Sequence, residues 1–455
     1  MEDAKKTELF ESMPIPKAVM NLAIPTVLSS LVMVLYNLAD TYFVGMLGDA
    51  VQNAAVTLAA PLLLAFNAVN NLFGVGSSSM MSRALGKKDY DTVYRSSAFG
   101  FYCAIFAGLL FSIGYTLFQT PLLNLLGATE ETIGTTMGYA RWTVTFGAVP
   151  AILNVVMAYL VRAEGASMHA SIGTMSGCFL NILLDPVFVL PQGLNMGAQG
   201  AGLATFLSNC ACVYFFILLY CKRGKTYVCV NPKMFGFRRH IVLGVCAVGI
   251  PASIQNLLNV TGMSVLNNFT SSFGSNAVAA MGIAQKINSV TVQIALGLSQ
   301  GIMPLVSYNY ASGNVKRMKK TFFFAARIAI AFLLFMEVAY YLGARTWVGL
   351  FMQDEQIVEY GSRFLRGFCL GMPFLAIDFL GVGVFQACGL GKNAFLFAVL
   401  RKVVLEIPAL FILNALFPLY GLAYAQFAAE IVLCIAAIVV LYRLFRKLEK
   451  RQKQA

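Results

Sequence analysis

The chain has 455 residues, of which 58% are hydrophobic and only 12% are charged, whereas about a quarter of the residues in soluble domains are charged. Its formal net charge of +13 is concentrated in every second loop between long apolar runs. This composition excludes an ordinary soluble enzyme, and the placement of the charge argues against nucleic acid as a partner.

Apolar runs of about 20 residues recur from one end of the chain to the other, as is typical of membrane-spanning helices. We therefore predict an all-α integral membrane protein with the lipid bilayer as its surroundings. The runs lie near residues 15–44, 53–81, 93–119, 136–161, 168–190, 197–221, 241–270, 277–306, 321–343, 360–386, 394–416 and 421–443, which makes twelve predicted transmembrane helices.

Basic residues cluster in every second loop, and therefore on one side of the membrane. By the positive-inside rule, the basic loops and both termini lie in the cytoplasm, which agrees with an even number of spans. The basic groups are Arg83, Lys87, Lys88 and Arg95 after the second run, Lys222, Arg223, Lys225, Lys233, Arg238 and Arg239 after the sixth, Lys316, Arg317, Lys319 and Lys320 after the eighth, and Arg443, Arg446, Lys447, Lys450, Arg451 and Lys453 in the tail.

The second half of the chain repeats the first at an offset between 221 and 226 residues. Residues 20–48 align with 246–274, 160–170 with 384–394, and 200–207 with 421–428. Six helices repeated in one orientation predict two lobes suited to alternating access. We place the N-lobe at 1–225, a basic cytoplasmic linker at 226–240, and the C-lobe with its basic tail at 241–455.

The two halves differ in their acidic residues. Asp40, in the stretch LYNLADTYFVG of the first helix, aligns with Leu266. Asp185 aligns with Ile407 if Pro186 is placed on its counterpart in the repeat, or with Ala409 without that gap. The acidic pair therefore belongs to the first lobe alone.

Helix direction places four polar side chains at one level of the N-lobe. At about 1.5 Å per residue, Asp40 lies roughly 8 Å below the outer end of helix one, and Asp185 and Asn181 lie roughly 9 and 15 Å below that of helix five. Ala201 and Thr205 lie roughly 6 and 12 Å deep in helix six. We therefore expect Asp40, Asn181, Asp185 and Thr205 to form one site.

A carboxylate near the centre of a membrane helix costs about 2.5–3.5 kcal/mol and usually marks an ion or substrate path. Carboxylate and carbonyl oxygens suit Na⁺, and two close carboxylates in an apolar setting also favour binding a proton. Pro186 adds a free acceptor because it removes the helical hydrogen bond to the carbonyl of Ile182. The alternative is that Asp40 and Asp185 only hold helices together through hydrogen bonds.

The chain resembles the multidrug and toxic compound extrusion (MATE) family, in particular its bacterial MepA-type branch, over roughly residues 14–445. The resemblance rests on Ile24-Pro25, the Asp of NLADTYFVG, the RAEG turn after helix four, N-x-x-x-D-P in helix five, G-A-G-L-A-T in helix six and QACG in the second half. It implies twelve helices in two lobes, outward drug export and influx of Na⁺ or H⁺. It also implies a cation site made by Asp40, Asn181, Asp185, Thr205 and the Ala201 carbonyl.

Several further residues are candidates for the substrate cavity, a hinge or a second cation site. Tyr36, Asn37 and Tyr139 are candidates for the cavity, and Pro25 for a hinge, with a fixed kink as the alternative. Some members of the family carry coupling acids on helices seven and ten. The second-lobe candidates here are Gln255, Asn259, Lys286 and Asp378.

Charged residues within the second-lobe helices have a simpler interpretation. Lys286 is expected to pair with one of the nearby acids, among which are Asp378 and Glu430. Arg401 and Lys402 lie near a cytoplasmic helix end, from which we expect them to extend towards the headgroups.

The sequence predicts a secondary active antiporter in the inner membrane of a bacterium. It would export amphipathic, cationic organic compounds in exchange for H⁺ or Na⁺, with no cofactor and no obligate protein partner. The alternative is a lipid-linked oligosaccharide flippase, which needs several Arg or Lys in its cavity for pyrophosphate. With two His, scattered Cys and no nucleotide-binding or zinc motif, we expect neither an enzyme nor a metal beyond Na⁺.

Overall fold

The computed structural model describes residues 8–222 and 226–454, and within these ranges the chain is helical without strands. We number the spans α1 to α12. The first six are α1 (Ile15–Gly45), α2 (Ala50–Gly86), α3 (Tyr90–Leu125), α4 (Glu130–Thr145 and Ala148–Ala163), α5 (Ser167–Val189) and α6 (Ala198–Lys222). The second six are α7 (Arg239–Ser271), α8 (Ser275–Ala311), α9 (Val315–Gly349), α10 (Glu355–Cys369 and Met372–Ala387), α11 (Gly391–Val399, Leu400–Glu406 and Ile407–Leu416) and α12 (Gly421–Gln454).

The predicted count of twelve spans in two repeated sets is confirmed. In the described residues, nine helices are each long and apolar enough to cross a membrane, and the bent pairs forming α4 and α10 qualify as whole spans. The twelfth, α11, carries charges in its central segment, Leu400–Glu406. Most helices extend beyond the apolar runs because their polar ends continue the backbone hydrogen bonds into the headgroup region.

Two spans bend sharply, and both bends have a local cause. The halves of α10 meet at 49° beside Pro373, which has no N–H to continue the hydrogen-bond ladder. The halves of α4 meet at 43° after the π-helical segment Arg141–Thr145, where the ladder shifts by one residue.

Glycines allow α4, α5 and α6 to approach one another closely. A side chain at Gly202 of α6 would come within 2.8 Å of the Tyr139 carbonyl on α4, and one at Gly173 of α5 would meet the Phe216 ring on α6 at 2.6 Å. Such small residues let helix backbones pack at short distance in a membrane. The close packing brings the polar faces of α5 and α6 together.

The chain forms two compact units that do not follow its midpoint. One unit contains Leu28–Ser253 and a short N-terminal piece ending at Leu9, and the other contains Phe10–Val27 and Ile254–Ala455. The first part of α1 therefore packs with the second half of the chain, and the first part of α7 packs with the first half. The repeat offset of 226 residues places Val27 on Ser253, so both helices are divided at the equivalent position.

Direct contacts inside each unit support this exchange of helix segments. In the first unit, the Ser253 hydroxyl donates to the Ala68 carbonyl at 2.5 Å. In the second, the Arg317 guanidinium donates to the carbonyls of Phe10 and Met13 at 2.7 and 2.6 Å. The lobe boundaries predicted from the sequence stay a prediction. Lys225, at the predicted end of the N-lobe, and Arg223 lie outside the described residues.

The linker after residue 225 is fixed to the first unit by a buried acid. The Glu164 carboxylate, at the end of α4, accepts hydrogen bonds from the Thr226 hydroxyl at 2.9 Å and from the Tyr227 amide at 2.7 Å. Further along, the Cys229 amide donates to the Ser97 hydroxyl at 2.8 Å. The described part of the linker is thus held in place from Thr226 onward.

We expect Glu164→Ala to release this linker, because each hydrogen bond to a carboxylate contributes about 1.5–3 kcal/mol. Limited trypsin digestion of the purified protein should cut faster at Lys233, Arg238 and Arg239 in the variant. Glu131→Ala, which changes an exposed acid, is the matched control and should leave the cleavage rate unchanged. Equal cleavage of Glu164→Ala and the unaltered protein would contradict the assignment.

Candidate functional site

The α5–α6 contact is bridged by a buried amide. Asn181 and Asp185 lie one turn apart on α5 and are 1% and 0% exposed. With its nitrogen facing the acid, the Asn181 side chain donates to Asp185 Oδ2 at 2.9 Å, and its oxygen accepts from the Thr205 hydroxyl at 3.2 Å and the Thr205 amide at 3.1 Å. Three of the four side chains expected at one level are therefore in direct contact.

Asp40 of α1 completes the acidic pair. It lies close enough to Asp185 for the two carboxyl groups to interact electrostatically. Asp40 Oδ1 and Asp185 Oδ1 are both enclosed and have no hydrogen-bond partner among the described residues. An unpaired buried polar atom costs about 1–3 kcal/mol, so two such oxygens on acids that interact electrostatically favour binding a proton or a cation.

Two of the cavity candidates, both tyrosines, lie near the acids. Tyr36 is one turn before Asp40 on α1, and Tyr139 lies on α4. Both are within electrostatic range of Asp40 and Asp185. Asn37, by contrast, is exposed, and Pro25 is buried in the other compact unit. Tyr36 and Tyr139 therefore place two phenol groups near the acids, and the Tyr36 hydroxyl is hydrogen-bonded to Thr205.

An apolar cluster adjoins the acidic site towards the outer helix ends. Val44 and Val189 follow Asp40 and Asp185 by one turn, and both are buried. They belong to a cluster that also contains Ala55, Ala59, Tyr139, Ala198 and Ala201. Ala201, whose carbonyl was the expected fifth ligand, is thus placed at the boundary between the polar and apolar layers. Because the cluster keeps water away, charges below it interact more strongly than in solution.

The sequence model of the MatE family matches residues 25–187 and 251–412, one match in each half of the chain. The chain belongs to the MatE family. Among its relatives, the Multidrug export protein MepA of Staphylococcus aureus (strain MRSA252) is 34% identical over 439 residues, covering 96% of this chain and 95% of that protein. The protein of the same name from Staphylococcus haemolyticus (strain JCSC1435) is 33% identical over 442 residues and covers 96% of each chain.

A solved structure agrees with the MatE assignment. An outward-facing multidrug resistance MATE family transporter of the MOP superfamily matches with a TM-score of 0.92 at 25% identity, covering 98% of this chain and 99% of that one. The MatE chain is therefore a multi-pass membrane transporter and not an enzyme. The family resemblance stated from the sequence motifs is confirmed.

The second half of the MatE chain holds a buried ion cluster that the sequence interpretation missed. Arg401 of α11 donates to Glu430 of α12 at 2.6 Å and forms an ion pair with Asp378 of α10 at 2.9 Å. Its guanidinium also lies 4.3 Å from the centre of the Phe379 ring. The expectation that Arg401 extends to the headgroups is wrong, because the residue is only 4% exposed.

Arg401 is buried because its two acidic partners lie on neighbouring helices. It is part of the π-helical segment Leu400–Glu406 of α11. The neighbouring Lys402 pairs with Glu406 at 2.7 Å, so it too is tied to an acid. The stretch LRKVVLE carries one acid and two basic residues within a single apolar run, and this was the sequence signal for ion pairing inside the membrane.

The remaining second-lobe candidates do not join the cluster. Lys286 is exposed, and the expectation that it pairs with a nearby acid is wrong, because Asp378 and Glu430 pair with Arg401. Gln255 accepts a long hydrogen bond from Gln386 at 3.5 Å. Asn259 is half-buried one turn further along α7. The structure thus brings Asp378 together with a fixed positive charge rather than with the α7 amides.

Removing that positive charge should be strongly destabilising. Arg401→Leu leaves Asp378 and Glu430 buried without their counter-charge, which costs about 3–5 kcal/mol. We expect a lower melting temperature in detergent, with recovery when Asp378→Asn and Glu430→Gln are added. Arg443→Leu, at an exposed position on α12, is the control. An unchanged melting temperature for Arg401→Leu would show that the ion pairs do not support the fold.

Proposed function

We propose that the chain is a secondary active antiporter that exports small amphipathic, cationic organic compounds in exchange for inward H⁺ or Na⁺. The substrate class follows the relatives, which are named for multidrug export or multidrug resistance and match nearly the whole chain. The observation that supports the coupling role is that Asp40 and Asp185 each have an enclosed, unpartnered oxygen and, unlike Asp378 and Glu430, form no ion pair among the described residues.

The residues around the acids suit reversible loading by a cation. Asn181 holds Asp185 through one oxygen and leaves the other free, so the carboxylate is oriented but not satisfied. A bound proton or Na⁺ would neutralise part of the negative charge on the two acids below the apolar cluster. Release of the ion would restore that unfavourable charge. A site of this kind has two states of similar free energy, as coupling requires.

Helix α1 is the element best placed to respond to loading. It contributes Asp40 to the acidic site, whereas α5 and α6, which contribute the other groups, are held to each other by the Asn181 amide. Pro25 lies in the same helix, close to Val27, where α1 passes from one compact unit to the other. A proline at this point weakens the helix backbone, so the proposal retains Pro25 as a hinge.

Among the described residues, the flippase alternative has only weak support, because Lys286 of α8 is a single basic group where several are needed. Pyrophosphate binding needs unneutralised basic groups at cavity depth. Arg401 and Lys402, which lie within α11, are instead paired with Asp378, Glu430 and Glu406. The names of the relatives also indicate drug export rather than lipid transfer.

Neutralising the acids should abolish coupled export. We expect Asp40→Asn and Asp185→Asn each to reduce efflux of a fluorescent organic cation from whole cells by at least about tenfold, which corresponds to about 1.4 kcal/mol. Glu131→Gln, an exposed acid on α4, is the control and should keep full efflux at equal expression. Full activity of the double variant Asp40→Asn/Asp185→Asn would overturn the coupling assignment.

Imposed gradients should identify the coupling ion. In proteoliposomes that contain the purified protein, either a pH gradient or a Na⁺ gradient alone should drive counter-transport of the organic cation. Whichever gradient drives transport in the unaltered protein should no longer accelerate it in the Asp185→Asn variant. If neither gradient accelerates transport above the rate without a gradient, the antiport mechanism fails, whereas export by another energy source would remain measurable in cells.

A further inference from the structure

A basic pocket lies in the second compact unit at the end where the positive-inside rule places the cytoplasm. It has a volume of about 540 Å³ and lies between the start of α1, the start of α9 and the end of α12. Its charged lining consists of Lys316, Lys319, Lys320 and Arg327 from α9 and Glu449 from α12. Positive charges thus exceed negative ones by three in this small volume.

The α9 face of the pocket combines charge with aromatic surface. Lys316, Lys320, Phe323 and Arg327 follow the helical spacing of three and four residues, which places them on one side of α9. Phe323, which is 48% exposed, lies one turn deeper than Lys320. A ligand here meets Lys316 and Lys320 at the headgroup level, Phe323 below them, and Arg327 about one turn deeper again.

One of the four cations is already engaged. Lys319 pairs with Glu449 at 2.6 Å, and its ammonium lies 5.9 Å from the Phe445 ring centre. Lys316, Lys320 and Arg327 are exposed and have no acid of the pocket left to neutralise them. The free charge is therefore concentrated on three side chains that line one cavity.

We propose that this pocket binds the headgroup of an anionic phospholipid from the cytoplasmic leaflet. The phosphate is held by Lys316 and Lys320, the Arg327 guanidinium extends towards it from deeper in α9, and the upper acyl chains lie along Phe323 and Phe324. Basic pockets between transmembrane helices on the cytoplasmic side recognise lipids of this charge. The three cations disfavour an organic cation, so the pocket is separate from the transport path of the proposed function.

The bound lipid would connect three elements of the second unit. The pocket includes Ile15 and Pro16 at the start of α1, next to the segment that Arg317 holds through the Phe10 and Met13 carbonyls. A headgroup in this position contacts α1, α9 and α12 together. Ligands that bind only the folded state stabilise it, so anionic lipid should raise the melting temperature.

The test uses the full-length purified protein with phosphatidylglycerol or phosphatidylcholine, followed by native mass spectrometry and thermal unfolding. The pocket variant is Lys316→Gln/Lys320→Gln/Arg327→Gln. The control, Lys447→Gln/Lys450→Gln/Arg451→Gln, removes the same charge from exposed positions at the end of α12 that do not line the pocket. We expect phosphatidylglycerol affinity to fall at least about tenfold in the pocket variant and to stay unchanged in the control.

Three outcomes would overturn the proposal: equal affinity of the two triple variants, equal binding of both lipids, or equal stabilisation by soluble glycerol phosphate. The last outcome would assign the pocket to a free phosphate compound. If the triple variant does not fold, Lys320→Gln and Lys320→Arg replace it. Retention of phosphatidylglycerol by Lys320→Arg with loss in Lys320→Gln supports the site, and retention by both contradicts it.

Discussion

A charge buried among apolar membrane helices is tolerated only when something compensates for it, and this constraint shapes both halves of the molecule. In the first half, Asp185 is held by Asn181 while one oxygen on each of Asp40 and Asp185 stays unpartnered. In the second half, Arg401 supplies a permanent counter-charge to Asp378 and Glu430. Each half thus has a buried acidic pair with unpartnered oxygens, but only the pair in the second half has a basic counter-charge among the described residues.

The features predicted correctly from the sequence are those that depend on local pattern. Apolar runs, alternating basic loops and the repeat offset established twelve helices. Helix direction and rise per residue placed Asn181, Asp185 and Thr205 at one level, and their side chains are in contact. These predictions were correct because a membrane-spanning helix runs across the bilayer, so that the depth of a residue follows from its position in the helix.

The features that were missed depend on non-local packing. Arg401 was placed at the headgroups because the hydropathy of α11 gives no sign of its acidic partners, Asp378 and Glu430, which lie on α10 and α12. The exchange of helix segments at Val27 and Ser253 was not predicted either, because hydropathy gives the position of a span but not the helices that it packs against. The contact of Glu164 with the linker is of the same kind, because its carboxylate accepts from the Tyr227 amide, 63 residues further along the chain.

The exchanged helix segments have a consequence for synthesis of the chain. The first unit lacks part of its packing until the ribosome has made α7 as far as Ser253, although α1 to α6 are already in the membrane. Phe10–Val27 is made at the outset, yet its packing partners lie in Ile254–Ala455. Neither unit can finish folding on the products of its own half of the gene. The first unit therefore has all its segments once Ser253 has been made, whereas Phe10–Val27 waits for its partners until the second half of the chain follows.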